Sequence, residues 1–401
     1  MRIWKASKWL VMAGMVGVLT GSASALFLAS LDLVTSVRLS EPWVLWLLPL
    51  GGAAISYLYQ KLGRSAGGGI TYIISVVYDR SIGVIPLRMA PMVLIGTLVT
   101  HLFGGSAGRE GTAVQMGASL SEWIGQHLRL DGYGRRIILL CGLSSGFGSV
   151  FGTPLAGTLF GLEVLAIGVI RYEALLPCFI ASLTGHLVTE AWGIQHAGYS
   201  IGAVPPLTLI LAAKLVAASV LFGLTGSLFS TLLSLMKRAM TRLIANSVWR
   251  SFVGGVMIIG LVYVTGTREY LGLSLPLLER SFETGLSPLD FLLKLLYTVV
   301  TLGSGFQGGE VTPLFVIGST LGSSLAELLS VSVPLLAAMG LIAVFCGAAN
   351  TPLTCFVLGI ELFGSEAMLY LFIGCMVSYA VSGHHGIYRS QQIEVPKHRL
   401  H

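Results

Sequence analysis

Apolar positions run through this chain in long blocks: 44–58, 89–103, 137–170, 175–188, 207–236, 252–264, 289–302, 311–329, 335–362 and 367–381. A helix on the surface of a soluble domain keeps one apolar stripe and a polar opposite face. These blocks are apolar all round, which predicts helices bathed in lipid or buried in protein. A full crossing takes about 20 residues, and several blocks are shorter or broken by Gly and Pro. The stretch 150–165 contains Phe151-Gly152-Thr153-Pro154, and 344–362 contains Gly347-Ala348-Ala349-Asn350-Thr351-Pro352. Broken helices at membrane depth survive only where the freed backbone is buried in protein or lines a cavity. The pattern therefore predicts an all-α polytopic membrane protein with tilted and broken helices, built around a transport pathway.

The N-terminus imitates a signal peptide, with Arg2, Lys5 and Lys8 ahead of an apolar stretch and Ala23-Ser24-Ala25 as a cleavage-like site. The apolar character continues through 26–31, so an uncleaved first span is expected.

Composition agrees. The 401 residues are 54% hydrophobic and only 10% charged, against roughly 25% charged in an ordinary soluble domain. Mean hydropathy is +0.83. This excludes a soluble enzyme, a nucleic-acid binder, a disordered regulator and a secreted disulfide scaffold. The formal charge of +6 comes from basic clusters at the N-terminus, at 129–136, at 237–250, and in the tail at Arg389, Lys397 and Arg399. The positive-inside bias puts both termini in the cytoplasm of a cell whose inner membrane holds the chain. The tail after Tyr388 is too short for a soluble regulatory domain. Cys141, Cys178, Cys346, Cys355 and Cys375 show no C-x-x-C spacing and read as packing residues, so neither a metal nor a cofactor is expected.

The chain repeats itself. Gly108-Arg109-Glu110-Gly111-Thr112 opens one helix and Gly308-Gly309-Glu310-Val311-Thr312 opens another. Each is followed by Thr-Pro-Leu, at Thr153-Pro154-Leu155 and Thr351-Pro352-Leu353, and each proline by a glutamate nine residues on, Glu163 and Glu361. Corresponding interrupted segments in two halves point to a binding site between structural repeats. We expect two membrane repeats, 1–200 and 201–401, with a shared site favouring an inverted relation.

Glu110 and Glu310 are the candidate chemistry. Glycines allow close backbone approach, and a helix start leaves N–H groups unpaired. Those donors and the helix dipole favour an anion. Glu110 brings a tethered carboxylate that competes for that place. When an anion displaces it, the carboxylate loses its donors and takes up a proton more readily, linking the two fluxes in opposite directions. The bland alternative is a helix-start Glu that complements the dipole. In the second copy Thr312 can donate to a strongly hydrated anion in place of lost water. Glu310, protonated, can relay a proton; ionised, it opposes anion entry; a solvent-facing cap is its bland reading. Glu163 and Glu361 read as structural helix-end partners, and His101 and His186 as packing residues. Gly142-Leu143-Ser144-Ser145-Gly146 matches G-x-S-x-G without a nucleophile elbow's strand, and Gly303–Gly308 matches G-x-G-x-x-G with no strand before it. No enzyme is expected.

Gly108-Arg109-Glu110-Gly111, Gly309-Glu310-Val311-Thr312-Pro313 and the late Gly386-Ile387-Tyr388 resemble the chloride channel and transporter (CLC) family over nearly the whole chain. The resemblance implies a homodimer, each subunit carrying its own anion pathway within two inverted repeats. It implies that Glu110 is the gating glutamate and that the Tyr388 hydroxyl faces the central anion site. Finer features are similar to the fluoride–proton antiporter branch. Thr112 stands where chloride members usually have Pro, Gly309-Glu310-Val311-Thr312-Pro313 replaces an aromatic G-x-F-x-P segment, and Val164 stands where chloride–proton exchangers tend to have an internal proton-transfer Glu. The run 101–108 is also similar to that branch, and by this likeness Glu310 and Thr312 are transport residues.

The early selectivity segment departs from the family pattern as Gly67-Gly68-Gly69-Ile70-Thr71. Depending on a gap, Gly68 or Thr71 fills the central-site position. The implied gating and proton-coupling residues are thus Glu110 and Glu310. The implied anion site draws on Gly68, Thr71, Gly108, Arg109, Gly111, Val311, Thr312 and Tyr388. The implied activity is fluoride export against inward protons, with a chloride–proton exchanger or a passive anion channel as the alternatives. Its partners are fluoride or chloride, protons, the lipid bilayer and a second copy, with no nucleic acid.

Overall fold

The computed structural model describes residues 2–63, 66–79, 83–196, 198–283 and 286–397. Arg399 of the basic tail lies outside the described residues. Eight α-helices precede the 192–208 connection among these residues: α1 (Arg2–Ser40), α2 (Leu48–Leu62), α3 (Gly69–Tyr78), α4 (Met89–Leu102), α5 (Glu110–His127), α6 (Gly132–Phe151), α7 (Pro154–Glu163) and α8 (Leu175–Ala191). Eight follow it: α9 (Leu209–Leu243), α10 (Ser247–Thr265), α11 (Leu275–Arg280), α12 (Pro288–Gly303), α13 (Val311–Leu329), α14 (Val333–Ala349), α15 (Pro352–Phe363) and α16 (Met368–Val381). Six segments among the described residues are long and apolar enough to cross a membrane. Along α9 the side chains of Leu209, Ile210, Val216, Leu221, Leu224, Leu228 and Leu235 are exposed. Such a stripe is tolerable against lipid and not against water.

The two halves pack by one plan. In the first, α5 lies on α6, α6 on α7 and α8, and α1 on α6 and α8. In the second, α13 lies on α14, α14 on α15 and α16, and α9 on α14 and α16. Without a hydrophobic force between helices in lipid, close packing of small residues holds them together. A Cβ on Gly117 would lie 2.2 Å from the Gly142 carbonyl oxygen, and one on Gly318 would lie 2.1 Å from that of Gly340. These matching contacts let α5 meet α6, and α13 meet α14, backbone to backbone. The serine-glycine run 142–146 is part of this contact inside α6, as expected of a packing segment.

The breaks also match. Helix α6 ends at Gly152 with φ 74° and α14 ends at Asn350 with φ 59°, both left-handed, and each is followed by Thr-Pro opening the next helix. Gly and Asn tolerate that conformation and Pro suits a first helical turn. The architecture is the expected all-α fold of two inverted repeats. Helix α1 runs unbroken past Ala23-Ser24-Ala25 and packs on α4, α5, α6 and α8. Two short helices, α3 and α11, fall outside the apolar blocks of the sequence. A two-residue strand, β1 (Ala166–Ile167), follows α7 and pairs in parallel with β2 (Gln392–Ile393) of the tail.

Candidate functional site

The starts of α5 and α13 meet head on. Gly108 N–H donates to the Gly309 carbonyl at 2.7 Å, and Gly309 N–H returns a bond to the Gly108 carbonyl at 2.8 Å. This antiparallel bridge brings the first turn of each helix against the other. The Glu110 carboxylate then crosses between repeats. Its Oε2 accepts from Thr312 N–H at 3.1 Å and from Arg109 N–H at 3.2 Å. Its Oε1 accepts a short bond from the Thr312 hydroxyl and lies 3.7 Å from Arg109 Nε. Glu110 is 1% exposed. The glycines are needed here: a Cβ on Gly108 would come within 2.9 Å of Glu110 Oε2, and one on Gly309 within 2.7 Å of Gly111 N.

This refines the expectation in two respects. The carboxylate docks on the α13 start, keeping a single bond from Arg109 N–H at the start of its own helix, because the glycine bridge puts the opposite helix within reach. The Gly108 N–H is committed to Gly309 and is not a free donor. Helix α13 presents about half a positive charge at this end, so the place Glu110 fills is an anion site by its electrostatics. Val311 and Gly111 supply the adjacent first-turn backbone, and the Thr112 hydroxyl is paired 2.6 Å from that of Thr97.

Two cavities lie near the paired helix starts and share no lining residue, and Glu110 lines the smaller one. One of about 40 Å³ is lined by Arg109, Glu110, Thr312, His196 and Tyr199 with apolar walls from Phe151, Phe315, Leu275, Leu278, Leu341 and Leu362. The other, of about 310 Å³, is lined among others by Gly68, Thr71, Gln115, Lys237, Glu310 and Tyr388. Gly68 and Thr71, the two candidates for one position, thus face the same cavity. Glu310 stands at the N-cap position of α13 without a capping side-chain bond and lines this cavity, its Oε1 3.9 Å from Lys237 Nζ. That cation offsets the charge which would otherwise oppose an entering anion. The Tyr388 ring packs edge-on to Phe160 at 6.1 Å, and its buried hydroxyl has no hydrogen-bond partner among the described residues. A buried polar atom left unmatched costs free energy, and at a site it is a place for a ligand.

Glu163 and Glu361 are structural, and reciprocal. Glu163 accepts from Leu353 N–H at 3.0 Å and from Thr354 N–H and hydroxyl at 2.8 and 2.7 Å, capping α15. Glu361 accepts from Leu155 and Ala156 N–H at 2.9 and 2.7 Å, capping α7. His101 is packed as expected, its ring nitrogens 2.8 and 3.0 Å from the Thr97 and Ala107 carbonyls. The five cysteines are buried and free.

Lys294 was not singled out by the sequence patterns. It is fully buried, with Nζ donating to Ser106 Oγ, Tyr270 O, Gly272 O and Ser274 Oγ at 2.8 to 3.2 Å. It ties α12 to the loop that delivers Gly108 and Glu110. Its signal was a lysine inside the apolar block 289–302, where an ionisable group needs a reason. Lys237 was read only as part of a basic cluster.

Residues 51–383 match the family described as voltage gated chloride channel. A chloride/fluoride channel protein of Pseudomonas syringae pv. tomato is 50% identical over 398 residues, 98% of this chain and 88% of that protein. The crystal structure of a CLC-type fluoride/proton antiporter superposes with TM-score 0.94 at 36% identity, covering 98% of this chain and 99% of that one. A slow cyanobacterial Cl-/H+ antiporter shares the fold, with TM-score 0.82 at 22% identity over 95% and 96% of the two chains. With most of its length matched by the family and its paired helix starts meeting at one carboxylate, this multi-pass membrane protein belongs to the CLC family of voltage gated chloride channels and transporters.

Proposed function

We propose that the protein exports fluoride in exchange for protons moving inward across a bacterial inner membrane. The observation that carries this reading is the Glu110 carboxylate seated on the α13 start, held by Thr312 from the other repeat. A fluoride ion reaching that place from the Tyr388 cavity displaces the carboxylate. Backbone N–H groups at Gly111, Val311 and Thr312, the Thr312 and Thr71 hydroxyls, the Gly68 backbone and the Tyr388 hydroxyl replace its water as it moves. Glu110, stripped of its donors, accepts a proton at a carboxylate oxygen and swings into the smaller cavity beside Arg109. The anion leaves past it through the smaller cavity, and the protonated Glu110 then returns to the α13 start, bringing its proton to the large-cavity side. With Val164 in place of an internal acid, Glu310 exchanges the proton on the large-cavity side, next to Lys237.

Fluoride is favoured over chloride because the constriction is narrow and offers a hydroxyl to a small, hard anion. The 36%-identical fluoride/proton antiporter structure supports the same choice. The repeats divide as 1–200 and 201–401, both termini face the cytoplasm, and two copies pair, each with its own pathway. The basic residues Arg389, Lys237 and Arg171 gather on the tail side of the fold, which supports that orientation.

The test is purified protein in vesicles read by fluoride, chloride and pH electrodes together. A fluoride gradient is expected to drive opposing proton movement, chloride to be a poor substitute, and Glu110→Gln to abolish the proton signal. Equal chloride-driven proton movement would make it a chloride–proton exchanger. Anion flux with no proton signal would make it a passive channel.

A further inference from the structure

Glu110 is 1% exposed at the floor of a smaller cavity walled mostly by apolar side chains, yet it must exchange protons with that side. Three titratable groups lead there. Glu190 stands at the end of α8 away from the C-terminal tail; the other end of α8 follows Arg171, which pairs with tail residue Glu394 at 2.5 Å. Its carboxylate is half exposed and its Oε2 lies 3.6 Å from His186 Nε2, one helical turn earlier. The His186 ring is 5.8 Å, centroid to centroid, from that of His196 in the connection beyond α8. His196 itself lines the cavity that holds Glu110, Arg109 and Thr312. His186 Nδ1 and His196 Nε2 are both buried and lack a hydrogen-bond partner among the described residues. Two neighbouring rings that each leave one buried nitrogen bare are suited to hand a proton on.

We propose that Glu190, His186 and His196 form a proton relay between the bulk on the face opposite the tail and the Glu110 carboxylate. It deepens the proton-coupled reading of Glu110 and rests on it. Glu190 collects a proton from water. His186 takes it at Nε2 and releases one from Nδ1. His196 receives it at Nε2 and yields it from that same nitrogen into the cavity, where a Glu110 oxygen ends as the neutral acid; a flip of the His186 ring, which gained a proton at one nitrogen and lost one from the other, restores its first tautomer. The gap is bridgeable: about 40 Å³ exceeds the roughly 10–15 Å³ that a water molecule needs. The His196 ring is seated against the hinge between α6 and α7, where a Cβ on Gly152 would strike its Cδ2 at 2.5 Å. Burial, Arg109 and His186 together push the His196 imidazole down to about 4, with Glu190 and a hydrogen bond to the Val150 backbone pulling the other way. At neutral pH it is therefore uncharged, and a proton does not rest there.

The experiment uses full-length protein in weakly buffered vesicles, with fluoride-driven proton flux read by pH electrode. His196→Ala and His186→Gln are expected to slow proton and fluoride movement together by about tenfold, below the 10²–10⁴ a donor in direct contact with the reacting group supplies. Imidazole is expected to restore the His196→Ala rate, and an equal concentration of a bulky sulfonate buffer is not. His196→Phe, which keeps a ring on Gly152, is expected to be slow and beyond rescue. Wild-type rates in the variants, or slow rates that imidazole leaves unchanged, would overturn the relay and leave the rings a packing role. Glu110→Gln is run beside them. If it still moves protons, the coupling reading itself fails; if it stops them while the histidine variants are silent, only the relay fails.

Discussion

Two pairs of glutamates sit at matching positions in the two repeats, and they behave differently. Glu163 and Glu361 obey the internal symmetry: each caps the other repeat's Thr-Pro helix through backbone donors. Glu110 and Glu310 break it. Both stand at the start of a G-x-E-x-T helix, but Glu110 crosses onto Thr312 while Glu310 turns into the large cavity toward Lys237. By the same symmetry Glu310 would cross onto the start of α5, but the Thr112 hydroxyl there is paired with that of Thr97 at 2.6 Å, and Glu310 lies beside Lys237 instead. Symmetry kept marks scaffold; symmetry broken marks the place where an ion can move in one direction and a proton in the other.

That contrast can be attacked at several points. The largest effect is expected from Glu110→Gln, which removes proton movement from the exchange, whereas Glu310→Gln lowers both fluxes by about tenfold at an unchanged ratio, within the range of a general acid or base. Paired pH and fluoride electrodes separate the two. Next come the threonines of the two motifs. Thr312→Val deletes a bond to a charged group, worth about 1.5–3 kcal/mol, and is expected to cut fluoride turnover by roughly 10- to 100-fold. Thr112→Val, whose hydroxyl is paired with that of Thr97, is expected to change it less than about twofold, since only a neutral bond is lost.

The symmetric pair is expected to affect stability and not coupling. Glu163→Ala strands three donors at a buried helix start and is expected to cost about 3 kcal/mol in detergent unfolding; Glu361→Ala, partly exposed so that water can substitute, is expected to cost about 1 kcal/mol. The smallest change is Tyr388→Phe. Deleting an unmatched buried hydroxyl leaves the melting temperature unchanged or slightly higher, and weakens fluoride binding in calorimetry by about fivefold, the worth of one modest hydrogen bond.

Much of this was legible from residue order alone. The two helix starts, the two Thr-Pro hinges and the glutamates nine residues beyond them mark the repeats, because helix breaks in lipid need Gly, Asn and Pro at fixed places. The partner each glutamate chooses was not legible. Glu110 docks across the repeats because Gly108 and Gly309 pair, a contact between residues about 200 positions apart. Helix α3 was missed because Gly67-Gly68-Gly69 reads as a loop while five of the ten residues after Gly68 are buried aliphatics. Lys294 was missed because its acceptors are mostly backbone carbonyls and serines, which carry no pattern.

The central claim is that the anion and the Glu110 carboxylate compete for the start of α13. The most direct measurement is the infrared difference spectrum of the protein as fluoride is added at neutral pH, with Glu110→Gln as reference. A protonated-carboxyl band that grows with fluoride occupancy and is missing from the variant is the predicted result. Fluoride binding at full affinity with no change in that band would contradict the account.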